Sequence, residues 1–72
     1  MATQLPVTQF LKDAQRVAED GRDPILYLRC LVKYWEQEYQ CAPSDWACRY
    51  STRMRKGALA ALRQLQRDHE QG

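Results

Sequence analysis

Apolar residues recur at intervals of three and four along the first part of the chain, from about Pro6 to Asp20. They are Val7, Phe10, Leu11, Ala14, Val17 and Ala18. This spacing places them on one stripe of an amphipathic helix. Pro6 suits a first helical turn, and Gly21 suits the left-handed conformation that ends many helices. The pattern therefore predicts helix 1 over about residues 6–20.

The second segment opens at Asp23-Pro24, which favours a capped helix start, and Pro43 discourages helix just before itself. Its apolar residues cover more than half of the helical circumference. One arc holds Ile25, Leu28, Leu31, Val32, Trp35 and Tyr39, and a second flank holds Leu26, Tyr27, Cys30 and Tyr34. Such a helix needs packing partners on both sides. We predict helix 2 over about residues 24–40, at the centre of the fold.

The third segment begins after Ser44, a good N-cap, with Asp45 in the first turn. Its apolar arc holds Ala47, Tyr50, Met54, Ala58, Ala61, Leu62 and Leu65. Gly57 and the neighbouring alanines form a small-residue zone where another helix can approach closely. The pattern predicts helix 3 over about residues 45–68.

These segments indicate an all-α protein, a small three-helix bundle in one domain over residues 1–72. A short helix 1 would lie across a hairpin of helices 2 and 3. A chain of 72 residues is small, and such domains bury only about 60% of the surface that the unfolded chain exposes. Oligomerisation often compensates for a small core, so we expect a homodimer formed through helices 2 and 3.

Charge and hydropathy exclude several classes of protein. The formal net charge is only +2, and 44% of the residues are hydrophobic, which is not typical of a disordered chain. No run of about 18 apolar residues suggests a membrane span, and MATQLPVTQF has no pattern of a secretory signal. We therefore expect a cytoplasmic protein that does not enter a membrane.

The cysteines have no spacing typical of a metal site. Cys30, Cys41 and Cys48 stand far apart and His69 is the only histidine, whereas structural zinc sites use close pairs. Cys41 and Cys48 flank the turn between helices 2 and 3, so a disulfide there stays an alternative to free thiols. Neither paired carboxylates on an apolar face nor a Gly-rich phosphate loop is present. We expect no catalysis, no metal and no cofactor.

Basic residues share one face of helix 3, within about 80° of each other on a helical wheel and opposite the apolar arc. They are Arg49, Arg53, Lys56, Arg63 and Arg67. Three interpretations remain open: a solvated face whose arginines pair with Glu19, Glu36 or Glu38, a surface for an acidic protein, or a surface for nucleic acid. Asp45 at the start of the helix opposes close approach of phosphates in a helix-turn-helix arrangement.

Helix 1 presents too narrow a stripe to cover the second apolar flank of helix 2. The predicted partner or dimer interface is Leu26, Tyr27, Cys30, Tyr34 and Trp46. Exposed aromatic and arginine side chains commonly anchor protein interfaces. We expect a non-catalytic interaction module, an adaptor or inhibitor that binds a larger protein, as small phage or bacterial regulators of host machinery do. The alternative is a small nucleic-acid-binding regulator that uses the basic face.

Overall fold

The computed structural model describes residues 6–71 as three helices: α1 (Val7–Glu19), α2 (Pro24–Gln40) and α3 (Asp45–Gln71). No strand occurs in this part of the chain, so the all-helical prediction is confirmed. Helix α3 continues three residues beyond the predicted end at Asp68. Helices α2 and α3 form an antiparallel hairpin against which α1 packs, and the molecule measures 41 × 27 × 18 Å.

Helix α1 ends in a Schellman motif centred on Gly21. This glycine has a φ angle of 82°, the left-handed region that disfavours residues with a Cβ. Its N–H donates to the carbonyl oxygen of Ala18, and the N–H of Arg22 donates to that of Val17, each at 3.0 Å. The predicted role of Gly21 is confirmed, and the motif turns the chain directly into α2.

The other two helices begin with side-chain caps. The carboxylate of Asp23 accepts hydrogen bonds from the N–H groups of Ile25 and Leu26, at 3.0 and 3.3 Å. The hydroxyl of Ser44 accepts one from the N–H of Ala47 at 3.2 Å. Each cap satisfies N–H groups that have no partner inside the helix, so both predicted N-caps are confirmed.

The core lies where all three helices meet, and it is built largely from small residues. Its buried apolar side chains are Phe10, Ala14, Leu28, Ala58, Ala61 and Leu62. The alanines allow α1 and α2 to approach α3 closely. At Gly57 the approach leaves no room for a side chain, because an added Cβ would lie only 2.7 Å from the Cδ atom of Pro6. The predicted small-residue zone is therefore the contact between α3 and the start of α1.

Helix α1 covers only the half of the hairpin that lies far from the α2–α3 turn. Pro6 meets α3 at Gly57, and later residues of α1 line a hollow with Gln64 and Leu65. At 1.5 Å per residue, α1 rises about 20 Å and α3 about 40 Å. The end of the hairpin near the turn is thus a two-helix structure. It carries five of the seven aromatic residues: Tyr34, Trp35, Tyr39, Trp46 and Tyr50.

Candidate functional site

Four aromatic rings form a continuous chain at the turn end of the hairpin. Tyr34 and Trp35 of α2 pack edge to face with ring centroids 5.0 Å apart, and Trp35 packs in the same way on Tyr50 of α3 at 5.6 Å. Tyr50 in turn stacks on Trp46, with centroids 5.4 Å apart and ring planes within 7° of parallel. We call these four residues the aromatic tip. Their packing joins the two helices where no third helix is present.

The aromatic tip is largely open to solvent. Trp46 is 73% exposed, Tyr34 51% and Tyr50 43%. Trp35 is half-buried, and its indole Nε1–H is enclosed without an acceptor within residues 6–71. A buried donor without a partner lowers the stability of the fold. Rings that stay exposed to water add little stability in return. The aromatic tip therefore contributes less to stability than a buried cluster of the same rings would.

An apolar stripe continues from the tip along the outer side of α2. Leu26 is 57% exposed, and Cys30, one turn further on, is exposed as well. Both line a shallow, mostly apolar hollow of about 500 Å³ together with Val17 and Tyr27. From Leu26 through Cys30 and Tyr34, the stripe leads to the rings of the aromatic tip. Four of the five predicted interface residues thus belong to one exposed apolar surface.

Tyr27, the fifth, has a different environment. It is half-buried and packs against the core. Burial raises the pKa of its phenol above the ordinary value of 10.0, and the negative charge of Asp13 raises it further. Tyr27 therefore belongs to the contact between α1 and α2 as well as to the lining of the hollow.

Two tyrosines that the helical wheel assigns to packing arcs remain exposed. Tyr39 of α2 is 48% exposed and Tyr50 of α3 is 43% exposed. The wheel gives their direction correctly, but it does not show how far along the hairpin the cover by α1 extends. The sequence signal that indicates their exposure is their position near the α2–α3 turn, which a helix 1 of the predicted length does not reach.

The five residues of the basic face all lie exposed on the outer side of α3. Within residues 6–70, neither Arg49, Lys56, Arg63 nor Arg67 forms an ion pair with an acidic side chain. The solvated-face interpretation had assigned Glu19, Glu36 or Glu38 as partners. The four named cations are therefore available to an external anion.

Cys30, Cys41 and Cys48 are free thiols, so the alternative of a Cys41–Cys48 disulfide is not what the structure contains. Among residues 6–71, no cluster of three or more His, Cys, Asp or Glu side chains is arranged to hold a metal ion. Over the same residues, no helix has the length and apolar character needed to cross a membrane.

Comparison with known proteins gives no match: no family model, no curated protein and no solved structure is significantly similar to this chain.

Proposed function

We propose that this protein is a non-catalytic interaction module, an adaptor or inhibitor that works by binding a larger protein through the exposed apolar surface. The observation that carries the proposal is the aromatic tip, where Trp46, Tyr34 and Tyr50 remain 43–73% exposed although each packs against another ring of the tip. Tryptophan and tyrosine contribute a large share of the binding energy at protein interfaces.

The arrangement of the rings supports binding because the tip is already ordered. Trp46 is held parallel to Tyr50, and Tyr34 is held against Trp35. An ordered side chain loses less conformational entropy when a partner covers it. The stripe through Cys30 to Leu26 extends the same surface over about two helical turns of α2.

Self-association is part of the proposal, because a second copy would cover this surface and enlarge a small core. Sedimentation velocity over a range of protein concentrations tests it. Wild type should form a dimer that Tyr34→Ala weakens, whereas Tyr34→Phe, which keeps the ring, should dimerise normally. A wild-type chain that stays monomeric throughout would assign the surface to a different protein.

The larger partner is tested by affinity capture from the source cells with the full chain as bait. Tyr34→Ala and Trp46→Ala should each reduce recovery of the captured protein strongly, and Tyr34→Phe should retain it. Circular dichroism confirms in parallel that each variant is folded. Equal recovery by wild type and both alanine variants would contradict the proposal that this surface binds.

A nucleic-acid-binding regulator is the second candidate. It is favoured by the exposure of the basic face and by the absence of ion pairs at Arg49, Lys56, Arg63 and Arg67 within residues 6–70. Lysines and arginines that neutralise phosphates give an affinity that falls steeply with salt. Fluorescence anisotropy with generic duplex DNA at low and moderate salt is the test. Absence of binding at low salt would exclude this candidate.

A further inference from the structure

The side of the hairpin opposite α1 carries an open groove between α2 and α3. One part, of about 430 Å³, is lined by the apolar side chains of Val32 and Leu62, and also by Leu26 and Cys30, which the groove shares with the exposed apolar surface. A second part, of about 300 Å³, is lined by Tyr39 and Thr52. Glu36 lines both parts, so they lie next to each other along the helix pair.

The groove has the length of a helix contact. Its lining residues on α2 extend from Leu26 to Gln40, which corresponds to about 21 Å or about four helical turns. Helix α1 packs on the core side of the same hairpin, where it contributes Phe10 and Ala14. A helix in the groove would therefore take the fourth position of an antiparallel bundle.

Charge around the groove has a strong bias. Arg29, Lys33 and Arg55 line it, and Glu36 is the one acidic side chain among the lining residues of the described chain. Four of the other acidic residues, Asp13, Glu19, Asp20 and Asp23, belong to α1 and the turn that follows it, whereas Glu38, Asp45, Asp68 and Glu70 lie on α2 and α3 outside the lining. The floor is apolar at Val32 and Leu62 and mixed at Tyr39 and Thr52. Such a floor with mostly basic borders is complementary to a helix with an apolar stripe and acidic flanks.

We propose that this groove binds an acidic amphipathic helix of another protein. The inference rests on the proposed interaction function and names the chemistry of the partner. The partner's apolar side chains cover Val32 and Leu62, and its carboxylates pair with Arg29, Lys33 and Arg55. Because Glu36 repels such a helix, it limits the affinity and serves specificity.

The test uses a displayed library of peptides of about 18 residues, a length that spans the groove. Leucines are fixed along one helical face, and the other positions vary among Glu, Lys, Gln and Ala. The immobilised bait is the full-length chain. Selection should enrich acidic peptides, whose affinities are then measured by fluorescence anisotropy.

Charge variants locate the binding site. Arg29→Glu combined with Lys33→Glu should weaken an enriched peptide by about tenfold or more, while Glu36→Lys should strengthen it severalfold. The gain in affinity is informative because a misfolded protein cannot produce it. Arg49→Glu combined with Arg67→Glu is the matched control, since it reverses two charges on the outer face of α3. The control should change the affinity by less than about threefold.

Several outcomes would overturn the inference: no enrichment, enrichment of neutral or basic peptides, or equal losses in the groove and control variants. Binding of a thymidine oligonucleotide that depends on Arg29 and Lys33 would assign the groove to nucleic acid instead. If no acidic peptide binds the groove while Tyr34→Ala still abolishes capture of a partner, only this inference is wrong. If Tyr34→Ala and Trp46→Ala have no effect but the peptides bind, the aromatic surface is the part that is wrong.

Discussion

The helix contacts at the two ends of the α2–α3 hairpin are formed by different kinds of side chain. At the end covered by α1, alanines and Gly57 bring three helices close together, and Leu28, Ala58 and Ala61 are completely buried. At the turn end, two helices meet through aromatic rings that stay half open. Small residues there would leave the helices in close contact but with little buried area. Large rings supply area for two helices and stay partly exposed. The covered end provides stability, and the open end carries the surface that we propose binds a partner.

The largest expected contrast between these ends comes from two leucines of the same helix. Leu28→Ala removes a fully buried side chain, and such a change costs about 2–5 kcal/mol. A core of this size rarely provides more than about 3–5 kcal/mol in total, so the variant should be substantially unfolded at room temperature. Urea denaturation followed by far-ultraviolet circular dichroism measures the loss.

Leu26→Ala is the matched control, since Leu26 is 57% exposed on the same helix. We expect a loss of less than about 1 kcal/mol for it, because most of its area is already in water. Similar losses for both leucines would show that the core is not centred on Leu28.

The two tryptophans provide the next largest contrast, within the open end itself. Trp35 is half-buried, and we expect Trp35→Ala to lower the free energy of unfolding by about 2 kcal/mol, less than for a fully buried tryptophan. Trp46→Ala removes a side chain that is 73% exposed and should cost less than about 1 kcal/mol, mostly its stacking on Tyr50. Urea titration of both variants is the measurement. A larger loss for Trp46 would mean that the tip stabilises the fold rather than being available to a partner.

Gly57→Ala tests how closely α1 approaches the hairpin. Alanine favours helix by about 1 kcal/mol over glycine, but its Cβ would lie 2.7 Å from the Cδ atom of Pro6, and such overpacking costs about 1–3 kcal/mol. We expect a net loss of about 1 kcal/mol, with faster amide exchange in the first turn of α1. Pro6→Ala combined with Gly57→Ala removes the clashing ring and should recover stability. A gain from Gly57→Ala alone would contradict the close approach.

The smallest expected effect is the pH dependence of stability that the phenol of Tyr27 causes. Because burial and Asp13 raise the pKa of its phenol in the folded state above 10.0, the folded protein holds this proton more tightly than the unfolded chain. The resulting stabilisation is complete below the ordinary pKa and is lost as the pH rises through the raised pKa. Tyrosinate absorbance of wild type and Tyr27→Phe at alkaline pH measures it: the component missing in the variant should titrate above the ordinary value. A component at or below that value would place Tyr27 in water.

Local signals in the sequence were sufficient for the three helices and their ends. The caps at Asp23 and Ser44 and the helix end at Gly21 depend on hydrogen bonds between residues a few positions apart. Such contacts can be predicted from the local sequence. The predicted end of helix 3 at about residue 68 was too early. Helix α3 continues to Gln71 because none of the residues from Asp68 to Gln71 is a glycine or proline that would end it. The exposed residues of the basic face were also accessible to prediction, since one helix alone determines which side chains lie opposite its apolar arc.

The exposure of Tyr39 and Tyr50, the half-burial of Tyr27 and the groove bordered by Arg29, Lys33 and Arg55 were not predicted. Each depends on where one helix stops covering another. A helical wheel reports the direction of a side chain about its own axis and contains no information on the position of a neighbour along that axis. For the same reason, the sequence could not show that Val32 and Glu36 of α2 meet Thr52 and Leu62 of α3.

By itself, the sequence determined the all-helical class, the helix starts, the small-residue contact at Gly57 and the single-signed face of α3. These properties follow from local propensity, capping and periodicity, which act within one segment. Only the tertiary structure decided that α1 begins beside Gly57 and leaves the turn end of the hairpin uncovered. It also decided that the rings from Tyr34 to Trp46 form one open surface, and that a basic groove lies opposite α1. These properties depend on relative helix lengths and on the register of the hairpin, which arise from packing among all three helices at once.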